Sequence, residues 1–168
     1  MSVSEELAGD LTQTYLREAL PDFEVCSRRA VECILGMPTR CPMDFRLLPR
    51  LSNQASVICI IQSGNGRYAV SLSLGVNKTD YPELLPAKRD DDEVTDAIGE
   101  ITNVIAGNFL GRPAFTHRFG AMLPSPPLFT LSGTSIQKGW CIQGLLVVNT
   151  AKIFLGFMIQ ATQKENPR

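Results

Sequence analysis

Apolar residues follow two different spacings along the chain, and the spacing typical of strands is clearest at residues 57–74. The run Val57–Ile61 is rich in β-branched residues, and Ser63–Gly66 after it has the composition of a tight turn. In Tyr68–Leu74, large apolar residues alternate with small or polar ones. Such alternation is typical of a strand with one buried face, so the sequence predicts a β-hairpin here.

The N-terminal part shows the longer apolar spacing of helices. Leucines recur at helical spacing within Ser4–Leu20, which predicts a helix that Pro21 interrupts. Asp22 is suited to cap a second helix, whose apolar stripe runs as far as Gly36. We therefore predict two consecutive helices before the first hairpin.

The segments between these elements are shaped by proline. Prolines before and after Met43–Leu48 indicate a loop with room for one short strand, and those within Val76–Lys88 allow only a short helix. The longest uninterrupted helix after the hairpin is predicted at Asp90–Gly111, where Arg112–Pro113 ends it. Strand and loop segments are predicted to follow.

A second hairpin is predicted near the C-terminus, with Trp140–Val148 and Ile153–Gln160 paired around the turn Asn149–Thr150. The order helices, hairpin, helix, hairpin is typical of an α+β fold, in which long helices pack on one face of an antiparallel sheet. Both parts have a helix followed by paired strands, which indicates pseudo-duplicated halves. No linker or low-complexity segment divides them.

The composition limits the classes of function. The 168 residues include 16 basic and 17 acidic ones, for a net charge of −1. This balance does not favour nucleic acid or an anionic membrane surface as a partner. No apolar run reaches the roughly 20 residues of a membrane-spanning helix, and the acidic start Met1–Glu6 does not resemble a secretory signal. We therefore expect a cytoplasmic protein.

The five cysteines are interpreted as reduced thiols, since they are odd in number and contain no C-x-x-C pair. A zinc site built from three of them and the single histidine is the alternative, but its spacings match no common zinc pattern. We predict no metal site, and we place the histidine in a strand or loop. The residues of the alternative site are Cys26, Cys33, Cys41 and His117.

The predicted helix Asp90–Gly111 has two distinct faces when its residues are placed at about 100° intervals. The apolar face consists of Val94, Ile98, Ile101 and Ile105. The opposite face consists of Asp96, Glu100, Asn103 and Gly107. A merely solvated face is the ordinary interpretation of such residues. However, Asn and Gly weaken a helix, and their presence here, with Gly99 alongside, indicates that another backbone comes close.

The spacing on this helix resembles the site motif of the CheC, CheX and FliY phosphatases. In that motif an Asp or Ser is followed by three residues, Glu, two residues, Asn, twenty-two residues and Pro, and this chain has Asp96, Glu100, Asn103 and Pro126 at those spacings. The resemblance covers about residues 22–160 and implies the family's fold of long helices against an antiparallel sheet. The first-half helix lacks Glu-x-x-Asn, so the chain is most similar to the single-site, CheX-like members.

The resemblance implies a phosphatase that hydrolyses the aspartyl phosphate of a phosphorylated CheY-like receiver. Asn103 would orient the attacking water through its amide, and Glu100 would pair with the receiver's lysine. The receiver would supply Mg²⁺, so the chain would need no cofactor of its own. The supporting positions would be Asp96, Gly99, Gly107 and Pro126.

The resemblance also divides the chain, into an extra N-terminal helix at residues 1–21, a phosphatase domain at 22–162 and a polar tail at 163–168. We expect a homodimer, because similar members pair through their sheet and the last strand, Ile153–Gln160, is apolar enough to require cover. The alternative function is a non-catalytic receiver-binding module, or a flagellar or chemotaxis adaptor of the same fold.

Overall fold

The elements of the structure follow the predicted order of helices, hairpin, helix and hairpin. In this computed structural model, residues 3–87 and 90–162 are described, with the backbone alone described for residues 3–10, 53–54 and 131–136. A 3₁₀ turn at Lys78–Asp80 accompanies the helices and strands. In chain order these are α1 (Val3–Leu35), β1 (Arg40–Gly64), β2 (Tyr68–Val76), α2 (Tyr81–Leu84), α3 (Asp91–Leu110), α4 (Pro113–Phe119), β3 (Leu128–Val148) and β4 (Ala151–Ala161).

The strands pair antiparallel in the order β1–β2–β4–β3, and β3 pairs back onto β1. Strands β1 and β3 are long, and each contributes two segments to the sheet. The two-stranded ribbon that joins these segments crosses the outer face of the sheet. Leu51 of this ribbon packs so closely on Gly156 that a Cβ atom on Gly156 would clash with the Leu51 side chain. Across the sheet the segments are 40–48 of β1, 141–148 of β3, β4, β2, 57–64 of β1 and 128–131 of β3.

Helices α1 and α3 lie against each other and against the inner face of this sheet. The ring of Phe23 in α1 stacks on Phe157 of β4 at 5.5 Å and meets Phe109 of α3 edge-on at 5.2 Å between centroids. Burial of these rings joins both helices to the sheet in one core. The predicted α+β fold, with helices on one face, is confirmed. The two halves, α1–β1–β2 and α3–β3–β4, confirm the predicted duplication.

Both predicted hairpins are present. Residues Val57–Gly64 pair with β2, and β3 pairs with β4 around a turn that contains Asn149. Asn149 has a φ of 53°, and asparagine is among the few side chains that tolerate this left-handed conformation. The proline-rich segment after β2 forms only the 3₁₀ turn and the four-residue α2, as predicted.

The predicted break at Pro21 is wrong, because α1 continues through this residue. A proline inside a helix costs about 3 kcal/mol. Pro21 is exposed, however, so water can bond the carbonyl that loses its partner one turn earlier. Leu16 before it and Phe23 after it are buried in the same core, and this burial offsets the cost. The N-terminal segment is therefore not a separate helix, and Asp22 forms an ion pair with Arg112 instead of capping one.

Strand β1 is much longer than the short strand predicted at Met43–Leu48. It has 25 residues and includes Pro42 and Pro49. Each of these prolines lies where the pairing of β1 with β3 shifts register. A bulge leaves one residue without a ladder hydrogen bond, so a proline can occupy it at little cost.

Strand β2 was predicted to have one buried face, and this is wrong, because both of its faces are buried from Val70 to Val76. Ser71 and Ser73 are buried, because the β1–β3 ribbon crosses the outer face of the sheet. Strand β4 is likewise internal, between β2 and β3, and residues 155–159 are buried. The last strand therefore has no open edge, which removes the structural reason given for a homodimer; the homodimer itself stays a prediction.

Helix α4 was not predicted, since the sequence after Pro113 was interpreted as strand and loop. Pro113 occupies the first position of the helix, where its missing N–H costs nothing. The rings of Phe115 and Phe119 pack edge-on against Tyr15 of α1 at 5.9 and 5.0 Å. His117 is exposed on this helix and not in a strand or loop. The predicted tail at residues 163–168 lies outside the described residues.

Candidate functional site

Helix α3 carries the predicted site residues except Pro126, and its start is stabilised locally. The Asp90 side chain caps the helix by accepting a hydrogen bond of 2.9 Å from the backbone N–H of Glu93. Three acidic residues, 91–93, occupy the first turn, where the helix dipole favours negative charge. These features place the beginning of α3 at Asp91, one residue from the predicted start.

The two predicted faces of α3 are confirmed by burial. All four residues of the apolar face are at most 3% exposed. The site face, consisting of Asp96, Glu100, Asn103 and Gly107, is exposed. No side-chain hydrogen bond or ion pair joins Asp96, Glu100 or Asn103 to another residue in the part of the chain that the structure describes. These polar groups are therefore free to bind a partner.

Gly99 does not belong to the open face, in contrast to the expectation that it makes room for a partner. It is buried beneath the chain's own Phe129 and Pro127. A Cβ on Gly99 would lie 3.3 Å from Cζ of Phe129 and 3.8 Å from Cγ of Pro127. Gly107 is exposed, and apart from its own helical backbone nothing lies within 4 Å of its Cβ position, so there is room for a partner at this residue; that a partner comes close there stays a prediction.

The structure brings the loop containing Pro126 to the same helix. Ser125 holds this loop to the end of β1, since its N–H donates to the carbonyl of Gln62 at 2.8 Å and its Oγ accepts from the N–H of Gln62 at 3.1 Å. Pro126 itself is exposed, and Pro127 after it touches the Gly99 position. The loop that contains the motif's proline thus packs, through Pro127, on the residue that precedes Glu100, although twenty-two residues separate Asn103 and Pro126 in the sequence.

Three exposed apolar side chains, in the segment whose Pro127 and Phe129 pack on α3, were missed by the sequence analysis. They belong to the loop after α4 and to the first residues of β3, and they are Leu123, Leu128 and Phe129. The signal that could have indicated them is the absence of charge between Ala121 and Thr130. This signal alone does not place the segment against a helix some thirty residues earlier.

The thiols and the histidine do not gather into a site. No group of three or more His, Cys, Asp or Glu side chains that could hold a metal ion occurs within residues 3–87 and 90–162. Burial raises the pKa of the Cys59 thiol, which lies under α3, and raises that of Cys141 to about 12. Both thiols are therefore protonated and unreactive at neutral pH.

No helix among the described residues is both long and apolar enough to span a membrane.

No protein-family model and no curated protein sequence matches this chain. Several solved structures do match this chain. CheX from Desulfovibrio desulfuricans superimposes with a TM-score of 0.65 at 14% identity, over 85% of this chain and 99% of that one. CheX from Vibrio vulnificus gives 0.67 at 16% identity, over 85% and 99%. The fold is CheX-like.

A CheC-like superfamily protein from Shewanella sp. PV-4 also superimposes, with a TM-score of 0.54 at 16% identity, over 83% of this chain and 97% of that one. Nearly the whole length of each neighbour is thus matched, and the resemblance inferred from the motif is confirmed at the level of fold. At such low identity the likeness concerns the fold alone, so function has to be argued from the site.

Proposed function

We propose that this chain is a phosphatase that hydrolyses the aspartyl phosphate of a CheY-like receiver in a two-component signalling pathway of the chemotaxis type. The observation that carries the proposal is the site face of α3. The side chains of Glu100 and Asn103 are exposed, have no partner among the described residues, and are spaced as in the motif, on a helix whose opposite face is anchored in the core.

The reaction needs a water molecule aligned opposite the bond that breaks. This water attacks phosphorus, the bond between phosphorus and the aspartate oxygen breaks, and the carboxylate leaves. The phosphate keeps one of the water's two protons, and the other passes to solvent. An amide is suited to orient the water, since it both donates and accepts and stays neutral beside the phosphoryl charge. Asn103 would take this role, and positioning of this kind supplies a large part of the rate without a covalent intermediate.

Glu100 would dock the complex. It lies on the same face as Asn103, one turn away, and its carboxylate has no partner within the described part of the chain. A lysine in the receiver's site would pair with it, and this pair would fix the position of Asn103 over the phosphoryl group. Asp96, one turn before Glu100, would add a second acceptor for a cation or a hydroxyl of the partner.

Mg²⁺ belongs to the substrate in this proposal. It would neutralise the phosphoryl oxygens from the receiver's side, and the residues of this chain act only on the attacking water and on docking.

A non-catalytic receiver-binding or adaptor module is the second candidate. It would need the docking carboxylates but not the amide. Asparagine is a weaker helix former than Glu, Gln or Lys at an exposed position, so its presence at residue 103 favours the catalytic proposal over the adaptor.

The test is phosphate release from acetyl-phosphate-labelled, Mg²⁺-loaded receivers of the same organism. Asn103→Ala should lower kcat by about 10²-fold or more, because the water loses its orienting group, while Glu100→Ala should raise KM. Asn108→Ala is the matched control, since Asn108 is also an exposed asparagine on α3 but faces Cys26 of α1. A wild type that binds a receiver without accelerating its dephosphorylation would establish the adaptor instead.

A further inference from the structure

The segment whose Pro127 and Phe129 pack on α3 exposes unusually large apolar side chains. Leu123 is 88% exposed, Leu128 54% and Phe129 40%. Surfaces of this kind, when contiguous and rimmed by polar residues, mark interaction sites. We call this surface the proline shelf, and it consists of Leu123, Pro124, Pro126, Pro127, Leu128 and Phe129.

The shelf adjoins the proposed catalytic residue through Gly99. The ring of Phe129 lies over Gly99, within 3.3 Å of its Cβ position. In a helix the residues three before and four after a given position lie on the same side of the axis. For Gly99 these are Asp96 and Asn103, so Phe129 packs against α3 between the turns that carry them. A protein that covers Asn103 therefore also comes close to Phe129, the part of the shelf that packs on α3.

The shelf is held in place before any partner arrives. Three prolines restrict its backbone. Ser63 donates a hydrogen bond of 2.6 Å from its Oγ to the carbonyl of Leu123, and the Ser125–Gln62 bonds fix the middle of the loop. The first residues of β3 pair with β1, with Phe129 opposite Cys59. A preorganised apolar surface loses little conformational entropy on binding.

The chemistry of the two neighbouring surfaces specifies the partner. The shelf has no charged residue between Ala121 and Thr130, whereas the charged residues of the site face are the carboxylates Asp96 and Glu100. A complementary surface is apolar and lies beside a cationic group, and the proposed receiver substrate presents its lysine at the phosphorylation site.

We infer that the proline shelf is the affinity-determining half of the docking surface, and that it binds an apolar surface of the receiver next to its phosphorylated aspartate. This inference rests on the proposed function for the identity of the partner. Asn103 then governs the rate, and the shelf, with Leu123 as its most exposed side chain, governs how tightly the receiver is held.

The test separates binding from chemistry in Leu123→Ser. Loss of a leucine that becomes buried in the complex should raise both KM for the phosphorylated receiver and Kd for the beryllofluoride-loaded receiver by about tenfold or more, with kcat unchanged. Leu123→Met should restore both values, because it returns an apolar side chain of similar volume. Met43→Ser is the matched control: Met43 is 54% exposed and lies on the opposite edge of the sheet, so this variant should bind as the wild type does.

An unchanged Kd and KM in Leu123→Ser, with the fold intact by circular dichroism, would overturn the inference. A wild type that binds receivers in a shelf-dependent way but never hydrolyses them would instead refute the proposed function and leave the docking surface supported.

Discussion

The substitution Gly107→Ala separates the stability of the site helix from its use. Gly107 is an exposed residue in the last turns of α3, and nothing lies within 4 Å of its Cβ position. A methyl group added there meets no atom of the chain. The free protein should therefore become more stable, while a partner that comes close to this face should be held farther away.

The magnitude follows from the helix alone. Replacing a glycine in a helix interior by alanine contributes about 0.5–1 kcal/mol, since the unfolded chain loses freedom and the folded chain gains no strain. For a protein of this size, 1 kcal/mol corresponds to a rise in Tm of about 2–4 °C. The added methyl should at the same time weaken receiver docking, because Gly107 lies on the same face as Glu100 and Asn103.

Two measurements are needed on one preparation: the free energy of unfolding by urea, and KM for dephosphorylation of the receiver. For Gly107→Ala we expect the free energy of unfolding to rise and KM to rise several-fold. Gly99→Ala is the internal comparison, because its methyl would press on Phe129 within the chain itself. A Gly107→Ala protein that is more stable and keeps an unchanged KM would refute the idea that a partner approaches closely at this glycine. A Gly107→Ala protein with a lower free energy of unfolding would refute the claim that alanine stabilises α3 at this position.

Two further predictions concern the scaffold. Pro21→Ala should raise the free energy of unfolding by about 1–3 kcal/mol in urea melts, because alanine restores the missing N–H at an exposed position inside α1; unchanged stability would show that this turn is already relaxed. For Cys141, whose pKa burial raises to about 12, the unfolded thiol ionises first. The stabilisation that the folded protein gains from the buried, protonated Cys141 thiol is complete below about pH 8.5. As the pH rises toward 12 this part of the free energy of unfolding is lost, by at most about 1.4 kcal/mol per pH unit. Melts between pH 8 and 10 should show a shallower slope for Cys141→Ala than for the wild type, and equal slopes would contradict the assignment.

Local spacing was sufficient where an element's own residues decide its structure. The period of α3 separated its buried and exposed faces, and Asp90 marked its start, because side-chain direction in a helix depends only on position. The hairpins followed in the same way from turn composition and β-branched runs. Asp96, Glu100, Asn103 and Pro126 could be found as a motif because their spacing is itself a property of the chain.

Tertiary structure decided the features in which distant segments meet. Pro21 lies inside a helix because Leu16 and Phe23 on either side of it are buried in one core. The free energy gained from burying them exceeds the local cost of a proline in a helix, on which the predicted break was based. Ser71 is buried because a ribbon formed by residues far along the chain crosses the outer face of the sheet. Alternation shows which side of a strand a residue occupies, but it does not show what covers that side.

The same distinction applies to the site. The sequence by itself determined the polar face of α3, since a 3.6-residue period needs no other element. It did not determine that Phe129 lies over Gly99, because that contact depends on the pairing of β3 with the end of β1. Whether a glycine leaves a gap for a partner or is filled by the chain's own ring is a property of packing, and packing exists only once the strands have paired.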